Sequence, residues 1–353
     1  MGRSIKYYVT LLSIILIACE EEYHANIEKS ESFLVVEARI FAEKSKNYIR
    51  LTESRDFNEE ETFAPVTDAL VTLIDSKAKN YSLQQSEKGI FTVPFQLKKE
   101  LQYKVAVQYK GDTFESEYES VPDTPGVDSI YGLSEVKTIE ADGENNIDNF
   151  DKIGGLQLYM DKSGATTPYY LFTSKFVQQY FIQEDRDDIQ MFCWRTIYPE
   201  GIFNIAGPPD NSNSRNILKH PLYFIENSPQ LPNGHYFMGW IVFLYQHAVS
   251  ENTYNYYSDL NKQLSSDGKL FDPMYIQARS NIKCLNNPQK FVAGNFEILS
   301  AKEYRFFIRY LGGNPSHIVK PIPYFYTISE RDTIVGAPPD FWETSIKLYP
   351  DED

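Results

Sequence analysis

The sequence predicts an all-β protein in two parts. The first is an N-terminal sandwich of immunoglobulin or transthyretin character; the second is a larger β-sandwich or barrel-like domain with one short helix. Three observations predict it. Apolar and polar residues alternate at period two in many short runs. Tyr and Phe, 26 and 23 of 353 residues, are abundant strand formers. Only one segment shows helical spacing. The length suits two domains, each with its own core.

The first domain is expected over residues 31–121. Leu34, Val36, Ala38 and Ile40 share one face of a strand, with Glu37 and Arg39 opposite. Further strands are expected at Asn47–Glu53, Ala69–Asp75, Tyr81–Gln84, Ile90–Phe95, Tyr103–Tyr109 and Thr113–Tyr118. Gly111-Asp112 supplies a two-residue hairpin turn between the last two. About seven short strands in a hundred residues describe a small sandwich. Pro122 and Pro125, with Gly126, then interrupt both helix and ladder and mark the boundary.

The second domain is expected over 127–353. Ile139–Asp151 is polar and reads as a loop; its acidic residues lack calcium-loop spacing, because Ile147 stands where the glycine is required. Strands are expected at Gly155–Met160, Tyr169–Gln179, Met191–Ile197, Tyr236–Gln246, Phe291–Ile298 and Arg305–Tyr310. Tyr254, Tyr257, Leu260 and Leu264 recur at three- and four-residue spacing, with Asn252 as the expected cap and Gly268 as the stop. They predict one amphipathic helix on a sheet face.

The chain's start reads as an address. Arg3 and Lys6 precede an apolar run from Val9 to Ile17, shorter than the roughly 20 residues of a membrane span. Residues 1–18 are therefore expected to be a signal peptide. Leu16-Ile17-Ala18-Cys19 resembles the bacterial lipobox, which implies acylation of Cys19 by palmitate-type chains and a stable membrane anchor. Residues 19–30 read as an acidic tether. Glu20, Glu21 and Glu22 look like the signal that carries Bacteroidetes-type lipoproteins to the cell surface. An outer-membrane, outward-facing location is the expectation.

Composition narrows the chemistry. With 49 acidic against 34 basic side chains, the net charge of −15 disfavours nucleic acid, since phosphate neutralisation needs surplus Lys and Arg. Three cysteines are too few for a disulfide-built miniature fold or a four-cysteine zinc site. With Cys19 lipidated, Cys193 and Cys284 remain; outside the cytoplasm a bridge between them is expected, worth about 4–5 kcal/mol in the chain-entropy model. The alternative is two buried thiols.

No Gly-x-Ser-x-Gly elbow, His-Glu-x-x-His motif, Walker loop or dinucleotide fingerprint occurs. The histidines at 24, 220, 235, 247 and 317 are scattered, so no metal or cofactor is expected. Carboxylates are abundant enough that a glycosidase-like pair carries little weight. Tyr223-Phe224 and Tyr324-Phe325-Tyr326, expected in loops, and the polar stretch Ala206–Asn216 are the candidate contact regions.

Tyr256-Tyr257, Leu260, Gln263-Leu264, Gly268–Pro273, Asn281-Ile282, Asn287-Pro288, Gly294-Asn295-Phe296, Arg305–Ile308 and Pro339–Trp342 occur in that order. Leu34–Glu37, Pro65-Val66, Ala69–Thr72, Gly89-Ile90-Phe91 and Ile130-Tyr131 complete the pattern. This order resembles the Bacteroidetes outer-membrane lipoproteins grouped as domain of unknown function 4249. Many members carry cysteines before the final Asp-Phe-Trp; Ser329–Pro338 has none, so no redox or metal role follows from that cluster. The resemblance supplies no catalytic residues.

Members are commonly encoded near TonB-dependent transporters, which implies an outer-membrane barrel partner. The expectation is a non-enzymatic accessory subunit that helps such a transporter capture or take up its substrate. A structural subunit of an outer-membrane assembly or export machine, and a surface adhesin, remain as alternatives.

Overall fold

Burial follows the alternation read from the sequence. In the computed structural model Leu34, Val36, Ala38 and Ile40 are buried while Glu37 and Arg39 face away, and Tyr103, Val105, Val107 and Tyr109 repeat the pattern. The structure describes residues 32–55, 63–140, 150–164, 168–183, 190–199, 201–209, 215–226, 235–265, 278–309, 318–319 and 333–335.

The first part of the chain holds β1 (Leu34–Phe41), β2 (Asn47–Ser54), β3 (Phe63–Pro65), β4 (Leu70–Asp75), β5 (Asn80–Ser82), β6 (Gln84–Glu87), β7 (Ile90–Val93), β8 (Gln102–Tyr109), β9 (Asp112–Ser116) and β10 (Glu119–Ser120). After the prolines come β11 (Ser129–Glu140), β12 (Phe150–Lys162), β13 (Tyr170–Gln183), β14 (Gln190–Ile197), β15 (Asn204–Ala206), β16 (Ile217–Glu226) and β17 (His235–Ala248). The helix α1 (Glu251–Leu264), β18 (Ile282–Cys284), β19 (Val292–Arg309), β20 (Ile318–Val319) and β21 (Thr333–Val335) follow. The fold is all-β with one short helix, as the sequence predicts.

One sheet runs β21-β14-β13-β17-β19-β1-β2-β7-β6, a second β18-β9-β8-β4-β5, and a third β11-β12-β16. The second sheet packs on β1, β2, β7 and β19 through a core that includes Val36, Ile49, Leu73, Phe91, Val105, Phe114 and Phe296. The third packs on β13, β17 and β19 through Leu158, Met160, Phe172, Phe176, Trp240, Val242 and Phe306. Each layer pair is a sandwich, and the sheets described are open.

The C-terminal half does not stay in its own domain. β18 pairs with β9, β19 runs parallel to β1, and Ile282, Cys284, Val292, Phe296 and Ile298 join the first core. The partition at 127–353 places these residues in the second domain; the structure uses them to complete the first sandwich. Asn281 fixes the return: its Nδ2 donates to the Phe296 carbonyl at 2.7 Å, and its Oδ1 accepts from the Phe296 N–H at 2.9 Å.

β19 is a single 18-residue strand where the sequence shows two runs. Its first half pairs with β1 and its second half, Ser300–Arg309, with β17. Phe296 and Ile298 enter the first core, and Phe306 and Ile308 enter the second. One parity of one strand therefore feeds both cores without a slip. The intervening Asn295, Glu297 and Leu299 face the other way, towards α1.

Gly294 permits the parallel pairing. It pairs with Val36 at φ +91, and an added Cβ would lie 2.0 Å from the Val36 carbonyl oxygen. Gly294→Ala is expected to cost on the order of 3–5 kcal/mol, because a left-handed backbone and a main-chain clash coincide. Gly164→Ala, at φ +57 but in open space, is expected to cost about 1–2 kcal/mol. Urea unfolding of the two variants checks the difference; equal losses would remove the close approach as the cause.

Candidate functional site

Two open clefts meet beside α1. The helix begins at Ser250, whose hydroxyl accepts from the Thr253 N–H at 3.2 Å, and stops at Ser265. The cap and stop thus fall before the expected Asn252 and Gly268: Ser250 is already in extended geometry and aimed at the first turn. Thr253 and Tyr257 are buried against the sheet. Glu251 in the first turn and Lys262 in the last complement the helix dipole.

The first cleft, about 400 Å³, lies between α1 and the outer faces of β1, β2 and β19, with Phe203 at one end. At its floor Arg39 Nε donates to Glu297 Oε1 at 2.6 Å, and Arg39 Nη2 donates to the Tyr257 hydroxyl. The Tyr257 hydroxyl donates to the same Glu297 oxygen at 2.9 Å. Burial opposes the charge on Arg39, but Glu297 and Tyr257 more than offset it and its pKa is raised. Burial, helped by Glu297, drives the Tyr257 pKa well up, and burial pushes Tyr256 up to about 12.

Behind this floor Glu119 is 2% exposed, with the Asn281 Nδ2 at 3.4 Å. Burial, with Glu297 and Glu117 adding repulsion, pushes its pKa up to about 7. His247, buried on β17, shares a 2.9 Å hydrogen bond with Thr173 Oγ1; burial, then Arg39 and Lys44, pushes its pKa down to about 4.

The second cleft, about 600 Å³, is an aromatic groove between β16 and the β13–β15 region. Phe176, Phe203, Tyr223 and Phe224 line it with Lys137, Gln157, Asn204 and His220. Phe176 meets Tyr223 edge-on at 5.9 Å, and Lys137 Nζ lies 4.5 Å from the Phe224 ring centre. Tyr223 donates to the Phe172 carbonyl at 3.0 Å, and His220 Nε2 donates to Asn204 Oδ1 at 3.0 Å. Burial pushes the Tyr223 pKa up to about 12 and that of His220 down to about 4. Phe203 is shared by both clefts and is held by Asn261, whose side chain bonds the Phe203 N–H and carbonyl, each at 2.7 Å.

The sequence candidates separate under this geometry. Cys19, Glu20, Glu21, Glu22 and Tyr324–Tyr326 lie outside the described residues. Tyr223 and Phe224 sit on strand β16 rather than in a loop, and line the aromatic groove. In the 206–216 stretch, Gly207 packs against Tyr254 and Tyr169, and 210–214 lie outside the described residues.

Cys284 is a buried free thiol that donates to Asn286 Oδ1 at 3.3 Å, so the expected bridge to Cys193 is not formed. Cys284 follows Asn281, which is bonded at Phe296, whereas Cys193 pairs with Tyr180 beyond the Gly239–Arg309 pair. Phe296 to Arg309 alone spans about 40 Å of strand, and a disulfide needs Cα atoms within about 7 Å.

Sequence reasoning missed Arg39, Glu297, Asn295 and Phe203 as cleft residues, and Glu119 as a buried carboxyl. Only the alternation on β1 hinted that Arg39 faces outward. Among the described residues no group of three or more His, Cys, Asp or Glu could hold a metal ion.

The geometry defines an all-β protein of two sandwiches joined through one strand, with open clefts beside a short helix. The chain belongs to the family described as Domain of unknown function (DUF4249), whose model matches residues 20–305. Comparison with curated proteins returns no match.

Glu119 gives the fold a measurable pH signature. The folded carboxyl keeps its proton up to about pH 7, while the unfolded one releases it near 4.5. The folded chain therefore binds more protons between those values, so Glu119 lowers stability as pH rises from about 4.5 to about 7. Glu119→Gln is expected to remove that slope and to stabilise the protein at pH 8 by about 2–3 kcal/mol relative to the parent. Urea midpoints for both proteins from pH 4 to 8 check it; parallel curves would contradict it.

Proposed function

We propose that this protein is a lipid-anchored, surface-exposed outer-membrane subunit that captures a ligand for a TonB-dependent transporter without catalysing a reaction. The observation that carries the reading is the aromatic groove formed by Phe176, Phe203, Tyr223 and Phe224 with Lys137, Asn204 and His220. Small-molecule sites combine apolar and aromatic walls with a few fixed polar groups. The lipobox-like Leu16–Cys19 and the glutamates behind it support a surface location, and the common gene neighbourhood of the family supports the partner.

A structural subunit of an assembly or export machine is the second reading, and one observation favours it. β11 is a 12-residue strand paired only with β12 among the described residues, and its Leu133 and Val136 are 40% and 66% exposed. An open edge of that length suits strand addition by a partner. No helix of the described residues is long and apolar enough to cross a membrane.

Purification of the full chain from native membranes in mild detergent, with mass spectrometry of the co-purifying proteins, tests the partner. A stoichiometric TonB-dependent barrel is expected; an assembly or secretion component moves the assignment to the second reading. No partner at all rules out both and points to an adhesin. Independently, Cys19→Ala is expected to abolish incorporation of labelled palmitate and to release the protein from the membrane fraction. Continued membrane retention without label would overturn the lipid anchor.

A further inference from the structure

Two buried acceptor atoms in the cleft beneath α1 have no donor. Glu297 Oε2 and Asn295 Oδ1 are closed to solvent and unpartnered among the described residues. Glu297 and Asn295 are only 3% and 6% exposed, and both line the cleft. Leaving a buried acceptor unmet is unfavourable by about 1–3 kcal/mol. Alternate residues of a strand point to one side, so here two such atoms occur together.

The donors described converge on the other carboxylate oxygen. Arg39 Nε and the Tyr257 hydroxyl both donate to Glu297 Oε1, Arg39 Nη2 donates to Tyr257, and Asn295 Nδ2 lies 3.4 Å from Thr253 Oγ1. The charge on Arg39 is matched by Glu297, and Arg50 is paired with Glu37 at 3.6 Å. Tyr48, Tyr256, Tyr257 and Phe203 also line the cleft, and aromatic faces attract cations.

We propose that this cleft is a ligand site for a primary ammonium group, which donates to Glu297 Oε2 and Asn295 Oδ1 while its organic body lies against Tyr256 and Tyr48. An ammonium offers three donors and no acceptor, which matches two neighbouring acceptors that lack donors. Its bond to a carboxylate oxygen is charge-assisted and about twice as strong as a neutral one. A carboxylate or phosphate ligand would set its negative charge against Glu297 and leave both acceptors unmet. The chain's net charge of −15 draws cations towards it. The 400 Å³ volume accepts a small amine or an amine-bearing side chain. The site adjoins the aromatic groove at Phe203, and its occupancy does not require a barrel partner.

Ligand-observed NMR titration of the detergent-purified full chain with benzylamine, benzyl alcohol and phenylacetate tests this. Saturable benzylamine binding is expected, at least tenfold tighter than benzyl alcohol, with no phenylacetate binding. Glu297→Gln is expected to weaken benzylamine at least tenfold. If that variant fails to fold, Tyr256→Leu on the cleft wall carries the test: it removes the face against which the ring lies, so benzylamine is expected to weaken about threefold, and unchanged binding would overturn the site. Equal binding of amine and alcohol, or no saturation with benzylamine, would overturn the site and leave the two acceptors to buried water. Neither result bears on whether a transporter co-purifies.

Discussion

The structure depends on one strand serving two cores. β19 lies between β1 and β17 in the largest sheet, so the two sandwiches share a continuous hydrogen-bonded ladder. Its inward residues, Phe296 and Ile298 then Phe306 and Ile308, are divided between the cores. Loss of β19 would open both cores at once. That coupling explains why a backbone detail such as Gly294 matters: the parallel register to β1 brings Val36 so close that no side chain fits. The outward residues of the same strand, Asn295 and Glu297, then become the floor of a cleft as a consequence of the alternation.

Asparagine side chains hold the main chain where regular pairing stops. Asn281 bonds both main-chain groups of Phe296, Asn261 both of Phe203, and Asn47 both of Phe41. Each carries a donor and an acceptor on one planar amide, so it can stand in for a strand neighbour across a short gap. The backbone groups they satisfy would otherwise be buried without partners. A side chain in this role fixes the position of a segment as well as its stability. Phe203, the wall common to both clefts, is placed in this way.

What the sequence showed and hid follows from the range of the interactions. The strands of the first sandwich and α1 were legible because their signals are local: alternation on β1 and β8, and the Tyr254, Tyr257, Leu260 spacing. β16 was not legible, since Pro221 interrupts it, Lys219 takes φ +51 and its register to β12 shifts twice. β19 read as two strands because Ala301-Lys302-Glu303 breaks the apolar pattern between its halves. The return of 281–299 to the first sandwich leaves no local mark at all. The cleft was equally hidden: Arg39 meets Glu297 across most of the chain's length, and alternation said only that Arg39 faces out.

That long-range origin bears on how the clefts would bind. Tyr257 is held between Arg39 and Glu297, Tyr223 is anchored to the Phe172 carbonyl, and Phe203 is clamped through its backbone. The groups that would meet a ligand are therefore fixed before it arrives. Ordering a mobile aromatic side chain on binding costs about 0.5–1.5 kcal/mol, and this arrangement avoids that cost for these three. A loop-built site on a single sandwich would lack such cross-bracing, since its walls would be tied only to near neighbours. The shared strand brings residues from distant parts of the chain against one helix, and this makes the seam between the sandwiches a constrained surface on which to place recognition.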